Sequence, residues 1–152
     1  MGHITLVSIG KVKTSIKDKS YENWGDIVSE IHIDTPYIEG LEGLSDYSHA
    51  IVLFFMDDFR ESFDGVWKRK PRGIEELAEK GCFAQRTKYR PNPIGVSVVE
   101  VMSIDADRIV VKGLDANDGT PVLDIKPYIP AFDVREDVKV PGWMKGLMEN
   151  YF

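Results

Sequence analysis

Three segments of the chain combine residue types that sheet building alone does not call for. In Phe83-Ala84-Gln85-Arg86-Thr87-Lys88-Tyr89-Arg90-Pro91-Asn92-Pro93-Ile94-Gly95 the cations Arg86, Lys88 and Arg90 alternate, which on an extended strand end would put all three on one side. Pro91 and Pro93 fix φ and push Arg90 and Asn92 toward extended geometry. A stiff backbone presenting polar groups suits a binding site, and the plain alternative is a proline-stiffened connection with surface cations. The second segment, Leu114-Asp115-Ala116-Asn117-Asp118-Gly119-Thr120 running into Pro121–Tyr128, opens as a turn whose free backbone N–H and C=O groups can meet a polar ligand. A carboxylate such as Asp118, or the Tyr89 hydroxyl, could accept a proton directly or through water. Asp115, Asp118 and Asp124 lack an accompanying His and do not follow the spacing of a calcium loop, so no metal is expected. Asp124 and Lys126, two apart on a strand, are expected to form a local ion pair. The third segment is Leu44-Ser45-Asp46-Tyr47-Ser48-His49, entering an apolar run that ends in Asp57-Asp58. His49 could be an acid, a base or a pH switch, but a lone His at a strand start reads first as a hydrogen-bonded structural residue. Covalent catalysis has no support, because no Gly-x-Ser-x-Gly elbow is present and Cys82 sits in an apolar context. Gly-x-Gly-x-x-Gly and Walker sequences are absent, which argues against a Rossmann-type or P-loop fold.

The elements that must hold these residues are mostly strands. Ile4–Val12 and Ile27–Ile33 are rich in Val, Ile and Thr and alternate apolar with polar residues, as half-buried antiparallel strands do. His49–Met56 is nearly all apolar and too short for a typical helix, so a central strand buried on both faces is expected. Arg72–Lys80 can form two helical turns stopped by Gly81. Strand-like runs follow at Cys82–Arg86, Ile94–Ile104, Arg108–Lys112 and Pro121–Ile125, the middle pair joined by the turn-forming Asp105-Ala106-Asp107. Trp143, Leu147 and Met148 give the tail Pro141–Asn150 one amphipathic face. The expectation is a mainly β, small antiparallel barrel-like domain of about six or seven strands with a short helical insertion and a C-terminal helical tail. Residues 1–152 read as one domain, with a core at 4–128 and a tail at 129–152.

A chain of 152 residues with one cysteine can bury enough surface to fold without disulfides. No apolar run is long enough to span a membrane and Met1–Leu6 resembles no leader, so a cytoplasmic protein is expected. The net charge of -6 disfavours a nonspecific nucleic-acid coat, but it averages two unlike regions. Between Gly65 and Arg90 eight Lys and Arg face three Glu, a balance of +5, leaving -11 on the rest. A basic segment on an acidic body can meet phosphates locally while repelling them elsewhere.

Phe83-x-x-Arg86, then Arg90-Pro91-Asn92-Pro93-Ile94-Gly95, then Asp118-Gly119-Thr120-Pro121-Val122-Leu123-Asp124-Ile125-Lys126-Pro127-Tyr128, with Ser48-His49 before the apolar strand, together resemble the TrmO family, also called TsaA-like. The resemblance covers about Ile9 to Tyr128. It implies a β-barrel, S-adenosyl-L-methionine-dependent tRNA methyltransferase, working as a homodimer, that methylates N6 of N6-threonylcarbamoyladenosine beside the anticodon. It further implies a cofactor pocket at Asp57, Asp58, Arg86 and the turn Leu114, Asp115, Ala116, Asn117, Asp118. In place of the Pro-Arg-Gln of other members, this chain has Tyr21-Glu22-Asn23-Trp24-Gly25-Asp26. Longer bacterial members carry a C-terminal domain, so contacts to the tRNA anticodon loop are expected from the core and its dimer. Lys68, Arg69, Lys70, Lys88, Arg90, Asn92 and Lys126 are the candidates, with Trp67 and Tyr89 stacking on unpaired bases. The rival readings are a noncatalytic RNA-binding barrel and a methyltransferase for a small molecule or protein.

Overall fold

The computed structural model describes residues 2–17 and 22–152; Tyr21 lies outside the described residues. Six strands form a closed barrel: β1 (Gly10–Lys13), β2 (Val28–Ile33), β3 (His49–Phe55), β6 (Ile94–Asp105), β7 (Arg108–Lys112) and β8 (Pro121–Pro127), in the spatial order β1-β2-β7-β6-β3-β8. Every neighbouring pair is antiparallel, and β8 closes on β1 through Gly10↔Val122 and Lys11↔Pro121. Closure leaves no barrel edge unpaired. Two short strands, β4 (Lys68–Arg69) and β5 (Lys80–Gly81), pair as a separate ribbon between β3 and β6.

Alternation along the strands builds the core. Ile31 and Ile33 of β2, Ala50, Val52 and Phe54 of β3, Val99 of β6, Ile109 and Val111 of β7 and Val122 of β8 point inward and are buried, with Val12, Leu44, Leu114 and Ala116 completing the cluster. Gly95 faces Phe54 across β3 and β6, and a Cβ at Gly95 would collide with the Phe54 ring. Glycine there lets the aromatic ring lie flat over the strand.

The register fixes which loops meet. Because the strands are antiparallel, one end of the barrel collects the C-terminal ends of β1, β3 and β7 and the N-terminal ends of β2, β6 and β8. Cross-loop bonds tie that end together: Met56 N–H donates to the Pro93 carbonyl at 2.8 Å, Gly113 N–H to Ile27 at 2.9 Å, Gly119 N–H to Val12 at 2.8 Å and Asp118 N–H to Ile16 at 2.7 Å. The opposite end holds the Asp105–Arg108 hairpin, where Ala106 takes a positive φ, together with the start of β3 and the 3-10 segments Thr35–Leu41 and Leu44–Asp46.

Several local expectations change. Strand β1 begins at Gly10, not Ile4, because residues before Ile9 find no strand to pair with and Ile4 stays 87% exposed. The expected helix at Arg72–Lys80 is a 3-10 turn at Pro71–Gly73 followed by turns, since Arg72 and Gly73 both take positive φ, which an α-helix excludes. Cys82–Arg86 is not a strand; Cys82–Ala84 form a 3-10 turn. The cations Arg86, Lys88 and Arg90 therefore do not alternate along an extended strand. The tail carries two helices, α1 (Pro130–Asp133) and α2 (Gly142–Met148). None of the described helices is long and apolar enough to cross a membrane. β3 is fully buried on its inner face only; its outer residues Ile51, Leu53 and Phe55 are half-buried.

Candidate functional site

Parts of all three chemistry-bearing segments share one barrel end, although Leu44–His49 itself lies at the other. Asp57 and Asp58 follow β3 directly, Arg86 to Pro93 precede β6, and Leu114 to Thr120 link β7 to β8. Two buried serines, Ser29 and Ser97, interrupt the apolar interior toward this end, beside Val12, Phe54, Val111 and Val122. On β6 the inward positions run Gly95, Ser97, Val99, and Ser97 is buried. On β2 Ser29 is also buried, and its hydroxyl has no hydrogen-bond partner among the described residues.

Leu114 and Ala116 sink into the core cluster and act as anchors on either side of Asp115. Their backbone groups, not their side chains, are what a ligand could reach. Asp115 is half-buried, and each of its oxygens accepts one hydroxyl hydrogen bond. Ser97 Oγ donates to Oδ1, and Tyr151 Oη donates to Oδ2 at 2.7 Å. Burial raises the Asp115 carboxyl above its ordinary range, while the two hydroxyls and the Arg86 charge act in the opposite direction. Arg86 is exposed and makes no hydrogen bond or ion pair among the described residues.

The other candidates are more committed. Asp57 accepts from the Arg60 guanidinium, with Nε at 3.0 Å, and Asp58 is exposed beside it. Asp118 accepts from Thr14 N–H at 3.0 Å and sits 3.8 Å from Lys13 Nζ, so it fastens the turn to the end of β1. The Asn117 carbonyl closes the same turn onto Thr120. Arg90 folds back onto the Gln85 and Thr87 carbonyls at 3.1 and 3.0 Å, and exposed Asn92 bonds Ile94 through its carbonyl. Arg69 pairs with Asp64 at 2.7 Å and lies 4.8 Å from the Tyr89 ring centroid. Lys70 pairs with Glu75 at 2.7 Å, and Lys88 Nζ sits 3.8 Å over the Phe59 ring. Lys68 is exposed and has no ion pair among the described residues.

Lys126 does not join this group. It pairs with Asp124 at 2.6 Å on the outer wall of β8, which raises its pKa, and it lies toward the opposite end through its pairing with Ile51. His49 is also there, exposed, with Nδ1 2.7 Å from Ser48 Oγ and its ring edge-on to Tyr128. Asp115, Asp118 and Asp124 point to three different surroundings and do not converge.

Sequence reasoning missed Ser97, Tyr151 and Phe83 as site residues. Ser97 had a signal, being polar at an inward position of an alternating strand. Phe83 is 79% exposed and stacks edge-on with Trp67, itself 51% exposed, with centroids 6.0 Å apart. Nothing local in the sequence brings Tyr151 to Asp115.

Fold and site define the class as a small closed β-barrel that presents a half-buried carboxylate and an open arginine at one end, beside a basic ribbon with exposed aromatics. Residues 20–134 match the family model described as tRNA-methyltransferase O N-terminal domain. The chain is 39% identical over 120 residues to a probable S-adenosyl-L-methionine-binding protein of Pyrococcus abyssi, covering 79% of this chain and 62% of that protein. It is 41% identical over 132 residues to an S-adenosyl-L-methionine-binding protein of Archaeoglobus fulgidus, covering 84% and 91%. It is also 41% identical over 110 residues to the tRNA (adenine(37)-N6)-methyltransferase of Escherichia coli, covering 66% of this chain and 45% of that enzyme. A crystal structure of TrmO from Pseudomonas aeruginosa superposes with a TM-score of 0.74 at 30% identity, over 94% of this chain and 62% of the other. The chain belongs to the TrmO family.

Proposed function

We propose that this protein is a cytoplasmic, S-adenosyl-L-methionine-dependent tRNA methyltransferase acting on N6 of N6-threonylcarbamoyladenosine at the position named for its Escherichia coli relative, 37. The observation that carries the reading is the meeting of Asp57–Asp58, Arg86 and the Asp115 turn at one barrel end, in a chain of this family.

The donor set suits the cofactor. A carboxylate with lone pairs left beyond its two hydroxyl partners can accept from ribose hydroxyls or an ammonium, and Arg86 is open to a carboxylate. When bound, S-adenosyl-L-methionine supplies an electrophilic methyl group whose in-line transfer needs alignment and exclusion of water but no protein nucleophile. Leu114 and Ala116 hold the turn rigid against the core, and Arg90, bonded to two backbone carbonyls, shapes the connection that presents Arg86. Asp118 or Tyr89 takes the proton from the substrate nitrogen. Asp118→Asn with cofactor affinity unchanged tests the first: lost single-turnover methylation assigns the step to Asp118, and full methylation excludes it.

The RNA is held from the ribbon that leaves the same end. Trp67 and Phe83 offer exposed ring surface for unpaired bases, and Lys68 is open to phosphate. Arg69 and Lys70 reach phosphate only by leaving Asp64 and Glu75. A homodimer is supported by the outer face of β3 and β6, where Ile51, Leu53 and Phe55 pair across the strands with Val98, Val96 and Ile94. An all-apolar outer face on an antiparallel barrel is the mark of a covered surface, and a second copy of this chain is the occupant we assign to it.

The test is mass spectrometry of nucleosides from tRNA carrying threonylcarbamoyladenosine, incubated with protein and cofactor. The expected product is that nucleoside with one added methyl group. Unchanged nucleosides from a protein that binds the cofactor by calorimetry would overturn the substrate assignment.

A further inference from the structure

The residues after α2 fold back onto the site end of the barrel. Asn23 N–H donates to the Asn150 carbonyl and Trp24 N–H to the Tyr151 carbonyl, each at 2.8 Å. Gly25 makes the approach possible, because a Cβ there would stand 2.6 Å from the Phe152 carbonyl carbon. Trp24 is buried beneath this contact, and the Arg72 guanidinium lies 5.6 Å from the Tyr151 ring centroid. Docked this way, Tyr151 delivers its hydroxyl to an acid 36 positions earlier in the chain.

We propose that Tyr151 is a positioning residue: its phenol, opposite Ser97, fixes the orientation of the Asp115 carboxylate, so that the remaining lone pairs face a ligand bearing hydroxyl or ammonium groups. The ligand class rests on the cofactor reading above, whereas the positioning of Asp115 does not. A phenol stays protonated across the neutral range and is a dependable donor. Hydrogen bonds to an ionised acceptor are stronger than neutral ones and oppose the cost of withdrawing the charge from water. The groups acting on Asp115 are Ser97 from β6, Tyr151 from the tail and the Arg86 cation from the connection before β6. Arg72 acts on the Tyr151 ring, not on the acid.

Tyr151→Phe removes one oxygen and keeps the ring, the Arg72 contact and the backbone bonds to Asn23 and Trp24. In ligand-free protein, the carboxyl carbon signal of Asp115, followed by NMR, should titrate at higher pH in the variant than in the parent. Ser97→Ala should move it the same way. Calorimetry with S-adenosyl-L-methionine should show a loss of affinity that grows as the solution is made more acidic, to roughly tenfold at the acid end. Superimposable Asp115 titrations in parent and Tyr151→Phe would overturn the proposal. A lower melting temperature with an unshifted titration would overturn it too, since that is the signature of a docking contact alone. If the parent itself does not bind the cofactor, the cofactor reading fails while the titration still decides the role of Tyr151.

Discussion

The two ends of the barrel are built from the same strands and differ in what they put inside. At the end that gathers Asp57, Arg86 and Asp115, two inward positions are serines, Ser29 and Ser97, among apolar Val12, Phe54, Val111 and Val122, and the connections are long. At the other end the inward positions are Ile33, Ala50 and Ile109, the β6–β7 connection is a tight hairpin, and Leu44 drops into the core from a 3-10 turn. Yet a hollow of about 720 Å³ lies on this second side, lined by Ile9, Ile33, Leu41 and Ile125 with Tyr37, Tyr47, Asp46 and Asp124 around it. A large cavity is the usual first guess for a binding site. Here it lacks a cation and a buried polar group aimed inward, and Asp124 already has Lys126. The candidate site is distinguished by its two buried serines and the Asp115 carboxylate, not by volume.

Damage at the far end should cost stability and leave ligand affinity alone. Leu44→Ala is expected to lower unfolding free energy by about 2–4 kcal/mol, read from the denaturant midpoint, with the dissociation constant for S-adenosyl-L-methionine unchanged. Weakened binding in a still-folded Leu44→Ala protein would mean that the two ends are coupled. At the candidate site Asp115→Asn should weaken cofactor binding by roughly 10- to 100-fold, while Asp46→Asn beside the hollow changes nothing measurable by calorimetry.

On the outer wall, Val96→Asp places a charge in the middle of the β3–β6 apolar face. Sedimentation should then give a monomer where the parent gives a dimer; a parent that is already monomeric would remove the second copy from the model. Smaller again is the effect expected on the ribbon. Lys68→Glu should weaken tRNA binding and flatten its salt dependence by about one unit of slope, whereas Lys70→Glu, which replaces a cation already held by Glu75, should change it less.

The fold was legible because alternation survives in short strands. Ile27–Ile33 shows its inward residues by alternation, whereas His49–Met56, nearly all apolar, marked a strand without showing that only one face turns fully inward. Arg72–Lys80 misled because helix-favouring residues such as Glu75, Glu76, Leu77 and Ala78 carry a local preference that the positive φ of Arg72 and Gly73 cancels. Ile4–Val12 had the strand pattern for its full length, but pattern does not supply a partner strand. For the site, Asp57, Arg86 and Asp115 stood out by residue type and motif. Whether a cation is open or spent depends on partners at a distance, so Lys68 and Arg69 look alike until Asp64 is seen beside Arg69. The Tyr151–Asp115 bond joins segments with no shared local signal.

The subtlest difference between the regions concerns pH. Burial lifts the Asp115 carboxyl above its unfolded value near 3.8, so between those two values the native state holds more of its proton than the unfolded chain does. Stability contributed by this group is therefore highest at low pH and declines as pH rises through that window. Glu30 on the outer face of β2, lowered mainly by its hydrogen bond to His32, and Asp64 on the ribbon approach, lowered mainly by Arg69, run the other way: their contributions are present at neutral pH and fade on acidification. Thermal melts of the parent alone mix the two senses. Subtracting the Asp115→Asn curve isolates one: parent minus variant should fall as pH rises through the carboxylate range and level off above it. The fall should be modest, since Ser97, Tyr151 and Arg86 offset part of the burial cost. A flat difference would mean that Asp115 titrates like an exposed acid.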